Sequence, residues 1–76
     1  MRKKLEKIFR ESFGIDNLDD NLSINNVTGW DSMAHVGLIL ALQKEFNVSI
    51  SPADAIDLTS VKEIVKYLMN RGISSE

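Results

Sequence analysis

A chain of 76 residues folds as one small domain and encloses little interior, burying only about 60% of its unfolded surface, which leaves no room for a deep substrate cleft. It contains no Cys, so neither a disulfide framework nor a thiolate metal site is available, and its apolar residues, 43% of the chain, must hold it together alone. The net charge of −2 hides a segregation: five cations stand against Glu6 and Glu11 in residues 1–13, while seven acids face Lys44 alone in residues 14–60, an acidic middle that disfavours nucleic acid and favours basic protein partners.

Residues 2–13 carry Leu5, Ile8, Phe9 and Phe13 at helical spacing on an otherwise charged segment, with Gly14 where a left-handed residue ends the helix. The cations in its first turn oppose the helix dipole, so fraying is expected there. No stretch approaches the roughly 20 apolar residues that span a bilayer. The start "MRKKLEKIFRESF" lacks the apolar run and cleavage site of a signal peptide, so a cytoplasmic protein without membrane attachment is expected.

Residues 14–31, "GIDNLDDNLSINNVTGWD", hold no clean period. Ile15, Leu18, Leu22, Val27 and Trp30 recur irregularly among Asp, Asn, Ser and Thr, which describes a long loop with apolar pegs rather than a flexible linker. A second helix is predicted over 32–46, with Asp31 as N-cap and Asn47 at its end. Ser51 as N-cap with Pro52 at the first helical position predicts a short third helix of about two turns. Ser60 and Glu63 form a capping-box pair for a fourth helix, in which Val61, Ile64, Val65, Leu68 and Met69 make one stripe before Gly72. The final "ISSE" is expected to be loose, and no strand, repeat or second domain is predicted. The reading is a single all-α domain over residues 1–76: a small four-helix bundle with three main helices, a short third one and a long first loop. Its predicted core is Leu5, Ile8, Phe9, Leu38, Leu42, Phe46, Val61, Ile64, Val65 and Leu68.

The second helix is apolar on two sides. With Ser32 at zero and about 100° per residue, Leu38, Ile39, Leu42 and Phe46 fall between roughly 240° and 340°, a broad core face. Met33, Val36 and Leu40 fall between roughly 40° and 100° on the same wheel. Either neighbouring helices bury both stripes, or the second is a solvent-facing docking surface. Gly37 flanks that stripe and costs about 1 kcal/mol relative to Ala in a helix interior. Ser32 lies between the stripes on the first turn, where open N–H groups and the dipole suit a phosphate; the plainer reading is an ordinary first helical residue.

Ser32 and His35 are three residues apart and imitate part of a hydrolase site. His35 is the only histidine, however, no acid is evidently placed to orient it, and the chain is short for a cleft. A DNA-binding module of short helices is disfavoured by the acidic middle, because the basic cluster lies on the first helix. A helical protein–protein adaptor without a prosthetic group remains as an alternative.

The stretch "GWDSM", followed by the apolar helix, resembles the phosphopantetheine attachment site of acyl and peptidyl carrier proteins, whose signature is Asp-Ser-Leu or Asp-Ser-Met with the serine opening the second helix. The similarity runs over nearly the whole chain, through Asp19 and Leu22 in the loop, "ALQKEF", and "LTSVKEIVKYL". The resemblance implies a carrier, not an enzyme. Ser32 would receive 4′-phosphopantetheine from coenzyme A through a phosphopantetheinyl transferase. The arm's thiol would then hold an acyl or aminoacyl group as a thioester, which explains a carrier without Cys. Asp31 matches the adjacent acid, available to the transferase and its metal ion, while the chain itself supplies no metal site. Met33, Val36 and Leu40 match the exposed positions through which such carriers dock, and Asp31, Glu45, Asp54 and Asp57 are expected to supply the charged rim of that surface. His35 packs at the core edge or contacts the arm's phosphate. The implied partners are the transferase, an acyl or aminoacyl loading enzyme and a downstream transferase or synthase, met by a free-standing monomer.

Carriers of bacterial fatty acid synthesis usually crowd acids along this helix, whereas here Ala34, His35, Gly37, Gln43 and Lys44 occupy much of it. That departure points to a specialised acyl, polyketide, nonribosomal or surface-glycan pathway rather than to general fatty acid elongation, with an aminoacyl or peptidyl carrier as the alternative.

Overall fold

Caps and turns delimit the four helices of the computed structural model, which describes residues 1–74. In chain order these are α1 (Arg2–Phe13), α2 (Ser32–Phe46), α3 (Pro52–Asp57) and α4 (Val61–Asn70). Asp31, Ser51 and Ser60 each accept a hydrogen bond from the N–H three residues on, at 2.8, 3.1 and 3.1 Å. For Ser60 this is the hydroxyl half of the expected capping box, received from Glu63 N–H. Gly14 ends α1 in the left-handed conformation, and Asn47 does the same for α2 at φ 53°.

Gly72 closes α4 as expected, but the residue after it departs from expectation. Gly72, at φ 85°, donates its N–H to Met69 O, and Ile73 N–H reaches Leu68 O, both at 3.0 Å. These are the two bonds of a Schellman closure, accompanied by packing of Ile73 against the core. Ile73 is therefore part of the helix stop rather than a loose tail, and residues 75–76 of the expected tail lie outside the described residues.

The helices bury Leu5, Ile8 and Phe9 from α1, Leu38, Ile39 and Leu42 from α2, and Val61, Ile64 and Leu68 from α4. Val27, Trp30, Ile50 and Leu58, all from connecting segments, complete the core. Two expected core residues stay half-buried: Val65, off the centre of the α4 stripe, and Phe46, the last residue of α2, whose ring has the Lys4 ammonium 5.6 Å from its centroid. The basic first turn of α1 is tied down in spite of its unfavourable dipole: Arg2 donates to Leu18 O at 3.1 Å and lies 3.9 Å from Asp20.

The long loop is pinned to the α3–α4 connection. Ile24 N–H donates to Thr59 O and Val61 N–H to Leu22 O, both at 2.9 Å, giving an isolated antiparallel bridge between Ser23 and Ser60. Among the described residues no helix is long and apolar enough to cross a membrane.

Leu42 is fully buried, so Leu42→Ala is expected to cost about 2–5 kcal/mol. Urea unfolding midpoints check this. A loss below about 1 kcal/mol would contradict the packing around it.

Candidate functional site

The site is built on the start of α2. Asp31 is extended (φ −112°, ψ −172°), its Oδ1 takes the Ala34 N–H, and its carbonyl accepts the first helical bond from His35 N–H at 2.8 Å. A helix start leaves four N–H groups without helical partners. Of these, Asp31 N–H goes to Gly29 O at 3.1 Å and Ala34 N–H to Asp31 Oδ1, and those of Ser32 and Met33 stay open beside the exposed Ser32 side chain. A monoanion on Ser32 Oγ would meet open donors and the positive end of the α2 dipole.

Met33, Val36 and Leu40 are 86%, 61% and 58% exposed, so the second stripe faces solvent. Ile56 of α3, 73% exposed, joins it. Sequence reasoning missed Ile56, because a single apolar residue in six offers no period to read. Gly37 lies in open space, with nothing within 4 Å of where a Cβ would stand. It keeps this part of the face flat.

Beside the stripe, a groove of about 410 Å³ runs between α2 and α3. Val36, Ile39 and Leu40 form one wall, and Pro52, Ala55 and Ile56 the other. Ile50 and Gln43 line it further along α2, where Gln43 Oε1 accepts the Ile50 N–H at 2.9 Å. Apart from Gln43 and His35 the lining is apolar, a surface suited to an alkyl chain.

Of its two expected places, His35 takes the one at the edge of the core, half-buried, with both ring nitrogens engaged. An indole N–H can only donate and a carbonyl can only accept. Trp30 Nε1–H therefore donates to His35 Nδ1 at 3.0 Å, and His35 Nε2–H donates to Ala55 O at 2.7 Å. These two bonds specify the neutral Nε2–H tautomer and use both ring nitrogens. None is left for an arm phosphate or for activation of Ser32, which also disposes of the hydrolase arrangement.

Two acids expected on the docking rim point elsewhere. Glu45 turns toward α1, its carboxylate 3.6 Å from Lys7 Nζ. Asp54 turns toward α4, where its Oδ2 accepts the Tyr67 hydroxyl at 2.9 Å. That hydroxyl in turn accepts from Arg71 at 2.7 Å. Burial first, then the bond to Asp54, raises Tyr67 above the ordinary 10.0, so it remains a donor at neutral pH. Asp31 and Asp57 stay exposed, and Lys44 lies exposed further along α2.

The family model described as "Phosphopantetheine attachment site" matches residues 3–68. An acyl carrier protein of Cyanidium caldarium is 35% identical over 72 residues, covering 91% of this chain and 83% of that protein.

Asp31→Ala is expected to destabilise the protein by about 0.5–2 kcal/mol through loss of the cap, with Asp31→Asn nearly neutral because its carbonyl still accepts. Urea titrations of the two variants make the comparison, and equal losses would show that charge rather than capping holds this turn.

Proposed function

The chain belongs to the phosphopantetheine-attachment family of acyl carrier proteins, and from that premise we propose that Ser32 is its attachment residue and the α2–α3 face its docking and cargo surface. The protein is a carrier acted on by other enzymes, and 4′-phosphopantetheine is its prosthetic group. The observation that carries the Ser32 reading is its exposed side chain on the first turn of α2, beside two open N–H groups and next to an exposed apolar stripe.

In this reading Ser32 Oγ attacks the pantetheine-bearing phosphorus of coenzyme A. The new oxygen–phosphorus bond replaces the one to the departing adenosine 3′,5′-bisphosphate, and the hydroxyl proton goes to a base of the transferase. Once attached, the arm supplies a thiol that holds acyl groups as thioesters. The chain's own contribution is positional. The helix start holds the phosphodiester by field and open donors, Asp31 keeps that start rigid and is available to the transferase's metal ion, and the groove shelters the apolar part of the cargo.

Met33, Val36, Leu40 and Ile56 are the anchors by which the transferase, the loading enzyme and a downstream transferase or synthase grip the carrier. Exposed apolar side chains at the centre of a small interface carry most of its energy, and the rim steers the encounter. Asp31 and Asp57 supply that rim. The absence of acids along the exposed face of α2 supports a carrier dedicated to its own loading enzyme in a specialised pathway. The apolar groove favours an acyl cargo over an aminoacyl one, whose ammonium would lose its water there. Four apolar side chains make a small patch, consistent with a monomer, and the cytoplasm is its proposed location.

Ser32→Ala is expected to leave melting nearly unchanged, because Ala is a good helix former and Asp31 still caps. It is also expected to abolish labelling from fluorescent coenzyme A by a phosphopantetheinyl transferase, and label retained on this variant would sink the assignment. Val36→Glu and Leu40→Glu are expected to keep the parent's melting behaviour and to load at least about tenfold more slowly. Added salt is expected to slow loading only modestly, since exposed charges are sparse on this face. Loading rates of folded variants equal to the parent's would move the docking surface elsewhere.

A further inference from the structure

The two walls of the groove are held in different ways. α2 is rooted by Leu38, Ile39 and Leu42, all buried, whereas α3 buries none of its six residues. It is slung between two buried pegs outside its ends, Ile50 before it and Leu58 after it. Apolar packing therefore fixes the ends of this segment, while its middle touches the core only through the half-buried Ala55 and takes its lateral position in part from polar ties.

Those ties pull in opposite directions. Toward α4, Tyr67 holds Asp54, and Arg71 holds both the Tyr67 hydroxyl and Ser49 O. Toward α2, His35 Nε2–H holds Ala55 O, a carbonyl that also accepts the Leu58 N–H at 3.2 Å. His35 is itself held by Trp30, which is 3% exposed. The indole packs at 5.5 Å against Phe9 and 5.4 Å against Phe13, and the imidazole stacks on it at 6.1 Å. A series of contacts thus runs from the α1 core through Trp30 and His35 to the backbone of α3.

We infer that His35 is a positioning residue of the carrier: its paired bonds to Trp30 and Ala55 set the distance between α3 and α2, and so the width of the groove offered to an acyl chain. The inference rests on the groove being the cargo's shelter. His35 acts through Ala55 and does no chemistry of its own. Without its bond, the polar tie left on the middle of α3 is the one from Tyr67 to Asp54, beside the packing of the half-buried Ala55, and the segment relaxes toward α4. The groove then widens and grips a medium-length chain less well.

Amide hydrogen exchange on the full chain tests this, with the parent, His35→Leu and His35→Gln, each unmodified and after loading from octanoyl-coenzyme A by a phosphopantetheinyl transferase, with loading verified by intact mass. In His35→Leu the Ala55 and Leu58 amides are expected to exchange about tenfold faster, while Leu42 and Leu68 change by less than about threefold. Octanoyl loading protects the α3 amides of the parent and protects those of His35→Leu less. His35→Gln keeps an amide donor within reach of Ala55 O and is expected to restore α3 exchange to within about threefold of the parent. Trp30→Phe keeps a smaller ring in the core and removes the N–H, so its general acceleration is read from Leu42 and Leu68, and a further selective acceleration of Ala55 and Leu58 is expected if His35→Leu does not fold. Uniform acceleration of all helices, α3 amides that do not change, or a selective effect that Gln fails to relieve each overturn the inference. Should intact mass show no arm on the parent, the carrier reading fails separately, and the exchange pattern is still read on the unmodified protein.

Discussion

The indole of Trp30 has one N–H, and burying that ring without an acceptor would cost about 1–3 kcal/mol. The molecule meets this constraint with His35, one turn into α2, and the choice determines much of the site. Because His35 Nδ1 must accept, Nε2 carries the proton, and it finds its own acceptor at Ala55, 20 residues further along the chain. One burial requirement thereby joins α1, the long loop, α2 and α3. It also engages both ring nitrogens of the only histidine away from the Ser32 hydroxyl. In the proposed reading this is the useful outcome, since a transferase would supply the base.

The charges follow a similar logic. The cations of α1 are largely absorbed by the chain's own acids and carbonyls: Arg2 by Asp20 and Leu18 O, Lys4 by Glu45 O, Lys7 by Glu45 and Arg10 by Asp16. Exposed pairs of this kind contribute at most about 1 kcal/mol each, so they matter less for stability than for what they withdraw from view. Glu45, the only acid in α2, is turned away from the exposed stripe. The face around Ser32 is left apolar and nearly uncharged, with Asp31 at one end and Lys44 further along.

The two apolar stripes of α2 then have separate tasks. One is core, against α1 and α4. The other lies open beside the groove and is completed by Ile56 from α3. A partner that covers Val36, Leu40 and Ile56 necessarily covers the mouth of the groove. In the proposed reading, docking and access to cargo would therefore be coupled by shared side chains.

Local physical chemistry alone determined the helix limits, the Asp31, Ser51 and Ser60 caps, and the two-sided character of α2, because capping and 3.6-residue periodicity act over a few neighbouring positions. Ser32 at the start of the apolar helix was legible for the same reason. The core contributions of Val27, Trp30, Ile50 and Leu58 could not be ranked in advance, since residues in connecting segments have no period. Ile73 was misjudged because a Schellman closure depends on the geometry of the turn. Only the tertiary structure decided where the polar side chains spend their hydrogen bonds. Glu45 and Lys7 lie on different helices, as do Asp54 and Tyr67, and His35 meets Ala55 only once α3 has been folded back along α2. A carboxylate or imidazole reads the same in sequence whether it faces solvent or a partner brought near by the fold, and that is why the exposed stripe and the Asp31 cap of α2 were legible while the partners of Glu45, Asp54 and His35 were not.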